Sequence, residues 1–444
     1  MDVLIVDARL WDGTGAPVQN GVDVRISGDR VVEIGHALAR DGTSVIDVAG
    51  ATVIPGLIDA HVHLAMDPGA AWRTTTPEQH AEALRRHLRA YLACGFTTIL
   101  DPAVAPDELA LIRATLADGA PGPRYLTLGT PFSPPDGYVA VVIPGFPSVA
   151  SAADVEAQLD AMVAERVDGV KVTVEDGIAG PVWPMHSDAV FSAIHDGAER
   201  RGLHVYAHAM TPKEQLLALD KLHPYAFVHP PDRPDKDALE AIVASGVYET
   251  STLSVFDGLR GGFEPQRLTD PLVLLTVPLD EVSTALDRDV KHAFGRKMIA
   301  TAFPHMPMKG TVGRLAAHEF VVGPRVRRAE RSVRDLSDAG VPLVLGSDSG
   351  NWPIIPYLFH GPTSVRELEL LGEAGLTPEQ ALTAATRTPA KMLGIEAGTI
   401  EVGHLADLVV IDGDPLADLS AVHHVRLVYR AGVGHSPEDW AIAP

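Results

Sequence analysis

The chain has a single cysteine, Cys94, among its 444 residues. An internal disulfide is therefore excluded, and with it the small disulfide-stapled classes. Cationic residues are in short supply: 36 Lys and Arg face 58 Asp and Glu, a formal net charge of −22. Nucleic acid and anionic membranes both call for a basic surface, so neither is expected as a partner. The acidity reads as a solubility feature. Long apolar runs are missing too. None reaches the roughly 20 residues that a bilayer span requires. The opening Met1-Asp2-Val3-Leu4-Ile5 lacks the basic segment and cleavage site of a secretory signal, so a cytoplasmic protein is expected.

What remains is ordinary for a soluble enzyme: 46 % hydrophobic and 21 % charged residues. The length suits one large domain plus a smaller one. Residues 1–55 alternate apolar and polar positions, as in Val22-Asp23-Val24-Arg25-Ile26, with turns at Asp12-Gly13 and Gly28-Asp29. That is strand patterning without a helical period.

The organising stretch follows: Val53-Ile54-Pro55-Gly56-Leu57-Ile58-Asp59-Ala60-His61-Val62-His63-Leu64. An apolar strand ends in His-x-His. Alternate side chains on a strand share a side, so two imidazoles can converge on one ion. Taken alone, two half-buried histidines would explain the dyad as well.

From here strands alternate with helices. Leu84, Leu88, Tyr91 and Leu92 mark one helical face, closed by Gly95. Candidate strands follow at 96–100, 123–128, 169–174, 204–209, 225–229, 247–252 and 341–348. With the strand leading into His61 they number eight. Eight alternating units imply parallel pairing and an α/β fold of the (β/α)8 TIM-barrel type. One long interruption, about 253–325, reads as an insertion over the site. Ser364-Val365-Arg366-Glu367 and Thr377-Pro378-Glu379-Gln380 both read as capping boxes. Strand patterning returns at 407–412 and 425–429. The expected organisation is a barrel over 56–394 and a small β-sandwich built from both termini, 1–55 and 395–444.

In a barrel, chemistry sits at the C-terminal ends of the strands. His61, His63, His208, His229 and Asp348 fall there, and Lys171 lies within the fourth strand. Each fits an ordinary role singly: a core histidine, a loop histidine, a turn-capping aspartate. Six at one rim do not. Lys171, inside Val-Lys-Val-Thr-Val, is costly to bury unless neutralised or paired. Carboxylation by carbon dioxide would make it an anion able to bridge two cations.

These residues, with Thr377–Thr386 and Gly403-His404-Leu405-Ala406-Asp407-Leu408-Val409-Val410, resemble the amidohydrolase superfamily. The resemblance covers nearly the whole chain outside the insertion. It is nearest to the imidazolonepropionase-like branch of metal-dependent prolidases and carboxypeptidases. It implies two divalent metal ions, zinc being expected, with His61 and His63 on the first and His208 and His229 on the second. Carboxylated Lys171 would bridge them and Asp348 would bind the first. It further implies a homo-oligomeric hydrolase that attacks the amide bond of a small molecule, a dipeptide or N-acyl amino acid, with metal-bridging hydroxide. Asp348 would carry the proton to the leaving nitrogen. Mononuclear deaminases of the superfamily lack the strand-four lysine and carry a glutamate soon after the strand-five histidine. Here Ala209-Met210-Thr211 follows His208, and the first glutamate is Glu214. Cyclic-amide hydrolysis, deamination and lactone or ester hydrolysis remain alternatives on the same scaffold. Tyr138, Trp352 and His360 are the candidate substrate contacts. The loops around Phe132 and Trp352, rich in proline and aromatics, suit an apolar or aromatic substrate. Where prolidase-like relatives carry Gly-His in the strand-three loop, this chain has Gly137-Tyr138.

Overall fold

The early alternation builds five strands: β1 (Val3–Leu10), β2 (Gln19–Ser27), β3 (Arg30–Gly35), β4 (Ser44–Asp47) and β5 (Thr52–Pro55). The structure is a computed structural model describing residues 2–65, 76–142, 145–177, 182–232, 234–261, 268–287, 289, 323–351, 355 and 358–440. β1 pairs antiparallel with β2, and in parallel first with β4 and then, at Arg9 and Leu10, with β5. The changeover follows Asp7, whose φ is 57°.

Eight short parallel strands come next. β6 (Leu57–Asp59), β7 (Phe96–Asp101) and β8 (Arg124–Thr127) form one sheet. β9 (Val170–Thr173), β10 (Val205–His208), β11 (Ala226–Phe227), β12 (Tyr248–Thr250) and β13 (Leu343–Val344) form another. Backbone hydrogen bonds cross both gaps between them. From β8 to β9 run Asp168 N to Thr127 O (2.7 Å) and Phe132 N to Lys171 O (2.8 Å). From β13 to β6 run Ala60 N to Leu345 O (2.9 Å) and Asp348 N to His61 O (2.7 Å). The chain then returns to the first sheet. β14 (Leu408–Ile411) pairs with β5, β15 (Val425–Arg430) with β14, and β16 (Val433–His435) with β15.

The helices follow their sequence signals. Pro77–Ala93 begins at a capping box between Thr76 and Gln79 and buries Leu84, Leu88, Tyr91 and Leu92 against the strands. Full burial of such side chains stabilises by roughly 1.5–3 kcal/mol each. Gly95, at φ 86°, turns the chain into β7 where a Cβ would press on Val409. The Thr377–Gln380 box also forms. Of the expected 253–325 insertion, the described parts hold helices Leu253–Gly261, Pro271–Thr276 and Leu279–Leu286; 262–267, 288 and 290–322 lie outside the described residues. No helix among the described residues is long and apolar enough to cross a membrane.

One sequence reading needs correcting. Ser364–Glu367 is not a capping box, because the helix starts earlier, at Pro362, after Gly361 at φ 86°. Glu367 instead points into the core. It accepts from Ser251 Oγ (2.5 Å), Leu253 N (3.0 Å) and Ser254 N (2.6 Å), and so anchors the chain leaving β12. Its burial raises the carboxyl from 4.5 to about 7 against those donors. Two outcomes are expected. Glu367→Ala orphans buried N–H groups and should cost on the order of 3 kcal/mol in chemical unfolding. Because the folded pKa lies above the unfolded one, the stability linked to this group is full below pH 4.5 and fades as pH rises through 7. Glu367→Gln should abolish that slope.

Candidate metal centre

The parallel strands deliver their C-terminal ends to one side, where loops from distant sequence meet. His61 and His63 leave β6 there. Asp348 leaves β13 beside them, across the seam closed by Asp348 N to His61 O and His63 N to Ser349 O (2.8 Å). His63 Nε2 lies 2.8 Å from Asp348 Oδ1, and His61 Nε2 3.4 Å from the same oxygen. One donor atom from each of the three lies within 4.8 Å of the other two, and all three residues are buried. Gly346 is required just ahead of them, since a Cβ would sit 2.7 Å from His61 Cβ.

The other predicted residues gather around this triad. The rings of His61 and His229 are 4.8 Å apart, and those of His229 and His208 4.5 Å. Lys171, facing in from β9, is 6 % exposed. Burial lowers its ammonium to about 8, opposed by the charges of Asp348 and Asp101. Burial, together with the Lys171 charge, holds His61 and His229 well below the usual imidazole range and lowers His208 as well. Burial pushes the Asp348 carboxyl up, but the hydrogen bond with His63 and the charge of Lys171 outweigh it and keep the group below its ordinary value. The space therefore holds His61, His208 and His229 as neutral imidazoles, an ionised carboxylate and a lysine that readily becomes neutral. Neutral nitrogens and carboxylate oxygens are the donors that divalent ions take. His61 Nε2 and both ring nitrogens of His208 are buried without a hydrogen-bond partner, as uncommitted donors to an ion would be. The residues present thus fit a metal centre.

Several residues that sequence reasoning passed over hold this arrangement. Asp59, fully buried, accepts from His61 N (3.1 Å), Ser347 N (3.0 Å) and Ser347 Oγ (2.5 Å). It ties both arms of the seam together, and burial raises it to about 6. Asp101, at the end of β7, accepts from Leu64 N (3.1 Å) and lies 3.9 Å from His63 Nδ1. Asn351 donates to Asp348 Oδ1 (2.8 Å). His61 Nδ1 donates to the Val228 carbonyl (2.9 Å), and His229 Nδ1 pairs with Thr252 Oγ1 (2.9 Å). Acids at Asp59 and Asp101, on strand ends, were the available signal.

The substrate candidates fare differently. Tyr138 stacks on His208 at 4.6 Å, with the buried Trp183 edge-on at 5.3 Å. His360 is buried behind the site. It stacks on His87 at 3.7 Å and donates to the His63 carbonyl (3.2 Å), so its ring supports the backbone of His63 and gives no support to the substrate contact expected from sequence. Trp352 lies outside the described residues.

The model of the amidohydrolase family matches residues 52–433, and the chain belongs to that family. Dihydroorotases of Bacillus pumilus and Bacillus licheniformis are 38 % and 39 % identical over 99 residues, which is 22 % of this chain and 21 % of each enzyme. The chain thus spans about a fifth of the length of these curated relatives. A solved Xaa-Pro dipeptidase with bound methionine gives a TM-score of 0.76 at 23 % identity, over 98 % of this chain and 100 % of its own. Ochratoxinase of A. niger gives 0.73 at 17 % identity, over 99 % and 97 %. These structural likenesses establish the fold.

Asp59 yields a prediction. Asp59→Asn keeps the volume but must turn an amide N–H towards the donors of Ser347 or His61. It should cost on the order of 2 kcal/mol and lower the metal content of the purified protein. Unchanged stability together with unchanged metal content would contradict the clamp described here.

Proposed function

We propose that the protein is a binuclear metal-dependent hydrolase cleaving the amide bond of a dipeptide or N-acyl amino acid. The observation that carries this is the donor set: His61, His63, His208, His229 and Asp348 around the inward-facing Lys171. The backbone bonds across both sheet gaps support a closed (β/α)8 barrel, and the split pairing of β1 supports a sandwich beside it.

Two divalent ions, zinc by the imidazole and carboxylate donors, would lower the pKa of a shared water and polarise the scissile carbonyl. His61, His63 and Asp348 would hold one ion, and His208 and His229 the other. Lys171 in its neutral form adds to carbon dioxide through Nζ. The new N–C bond would give a carbamate with release of one proton, adding two oxygen donors and a negative charge to the set that would hold the ions. Asp348, kept ionised and oriented through Oδ1 by Asn351, takes the proton from the attacking water and passes it to the leaving nitrogen. Tyr138 and Trp183 form an aromatic wall beside His208, which suits an apolar or aromatic substituent on a small-molecule substrate.

The prolidases among similar structures favour a dipeptide with a C-terminal imino acid. The dihydroorotase match favours a second reading, hydrolysis of a cyclic amide. A screen of prolyl dipeptides, aromatic N-acyl amino acids and cyclic amides, scored for free amine, ring opening and ammonia, separates these from each other and from deamination; lactones complete the panel.

Metal analysis tests the centre itself. About two ions per chain are expected, with content dependent on bicarbonate and falling to about one or fewer in Lys171→Ala. One ion or fewer in the unaltered protein, indifferent to Lys171, would end the bridged-centre reading and favour a mononuclear deaminase-like enzyme.

A further inference from the structure

Three of the four site histidines have a protein group at the ring nitrogen that faces away from the cluster. His61 Nδ1 has the Val228 carbonyl at 2.9 Å, His229 Nδ1 has Thr252 Oγ1 at 2.9 Å, and His63 Nδ1 has Asp101 Oδ1 at 3.9 Å. His208 has no hydrogen bond at either nitrogen. The facing acceptor is Glu175, whose Oε2 lies 3.7 Å from His208 Nε2. Both atoms are buried and both lack a hydrogen-bond partner.

Glu175 sits on the β9 side, four residues beyond Lys171, and is 2 % exposed. Its other oxygen accepts from Gly177 N at 3.0 Å, which fixes the carboxylate plane. The loop that carries it is tied to the His208 loop twice. Val174 N donates to His208 O (2.8 Å), and Glu214 accepts from Asp176 N (3.0 Å), Met210 N (3.1 Å) and Thr211 N (2.9 Å). Glu175 and His208 therefore move as one unit. A buried carboxylate with a free oxygen aimed at a buried imidazole is costly unless a proton is shared between them.

We propose that Glu175 is the positioning residue for His208: Oε2 accepts a hydrogen bond from His208 Nε2–H and so fixes the tautomer that leaves the Nδ1 lone pair free for a divalent ion. The inference rests on the metal-centre reading above and adds to it a residue outside the predicted donor set. Carboxylate–histidine pairs of this kind change metal affinity by roughly 10–100-fold when broken.

The test is cobalt(II) titration of metal-free protein, read by visible absorption and by competition with a chelator. Glu175→Leu removes the acceptor at similar volume, Glu175→Gln keeps a carbonyl acceptor without charge, and Glu175→Ala serves if the leucine does not fold. The unaltered protein should take up about two ions. The leucine or alanine variant should bind one of them about 10–100-fold more weakly, with a changed absorption band, while the glutamine variant retains most of the affinity. Melting of the metal-free variants close to that of the unaltered protein rules out a general folding defect as the cause. Equal affinity in all variants overturns the inference and leaves the two-ion reading standing. Equal weakening in glutamine and leucine variants also overturns it, since charge rather than an acceptor would then be at work. Fewer than two ions in the unaltered protein ends both.

Discussion

Burying a carboxylate away from water is costly unless donors surround it, and at Asp59 they do. Two backbone N–H groups and one hydroxyl converge on it, from the strand that opens the parallel series and from the loop after the strand that closes it. The eighth strand can present Asp348 to His61 and His63 only if that seam is held in register. A shift of one residue would send the alternate side chains to the opposite face. Asp59 thus joins a backbone requirement to a chemical one: the hydrogen bonds that satisfy its charge also fix the distance at which two imidazoles face a carboxylate.

The same economy recurs one layer out. Tyr91, from the helix behind β6, bonds Ser349 Oγ (2.6 Å), and His87 and His360 donate to the carbonyls of Leu64 and His63. Glu214 bridges the loops after β9 and β10, and Glu367 pins the loop after β12. The described parts of the loops after β6, β9, β10, β12 and β13 are thus fixed by buried polar side chains. Loops held in this way keep their geometry without water, and a site meant to exclude water needs that.

Much of this was legible in the sequence, and the reasons can be traced to particular residues. Apolar runs between helical periods located all eight parallel strands, and a 3.6-residue period the helix face of Leu84, Leu88, Tyr91 and Leu92. His61-Val62-His63 and the lysine within an apolar strand stood out because both are costly unless they serve a purpose. The supporting layer was harder to read. Glu367 matched a capping box by spacing, and only the third dimension shows that its donors lie more than a hundred residues earlier. Asn351, Glu175 and Trp183 lie in loops, where no periodicity points to a direction. His360 looked like a rim residue because it follows the eighth strand closely, yet the chain folds it behind His63.

The two halves of the candidate centre are not equally built. His61, His63 and Asp348 already converge, held by the seam and by Asn351. His208 and His229 are adjacent, but among the described residues no carboxylate joins them in a second such cluster. A lysine amine supplies one nitrogen and, when protonated, none. Converted to a carbamate it would supply two oxygens and a negative charge between the two histidine pairs. Burial, which brings Lys171 down to about 8, is what makes that conversion accessible near neutral pH. The position of the lysine and its altered basicity therefore bear on the same proposal: folding alone brings His61, His63 and Asp348 together, and a second half built on His208 and His229 would depend on chemistry at Lys171.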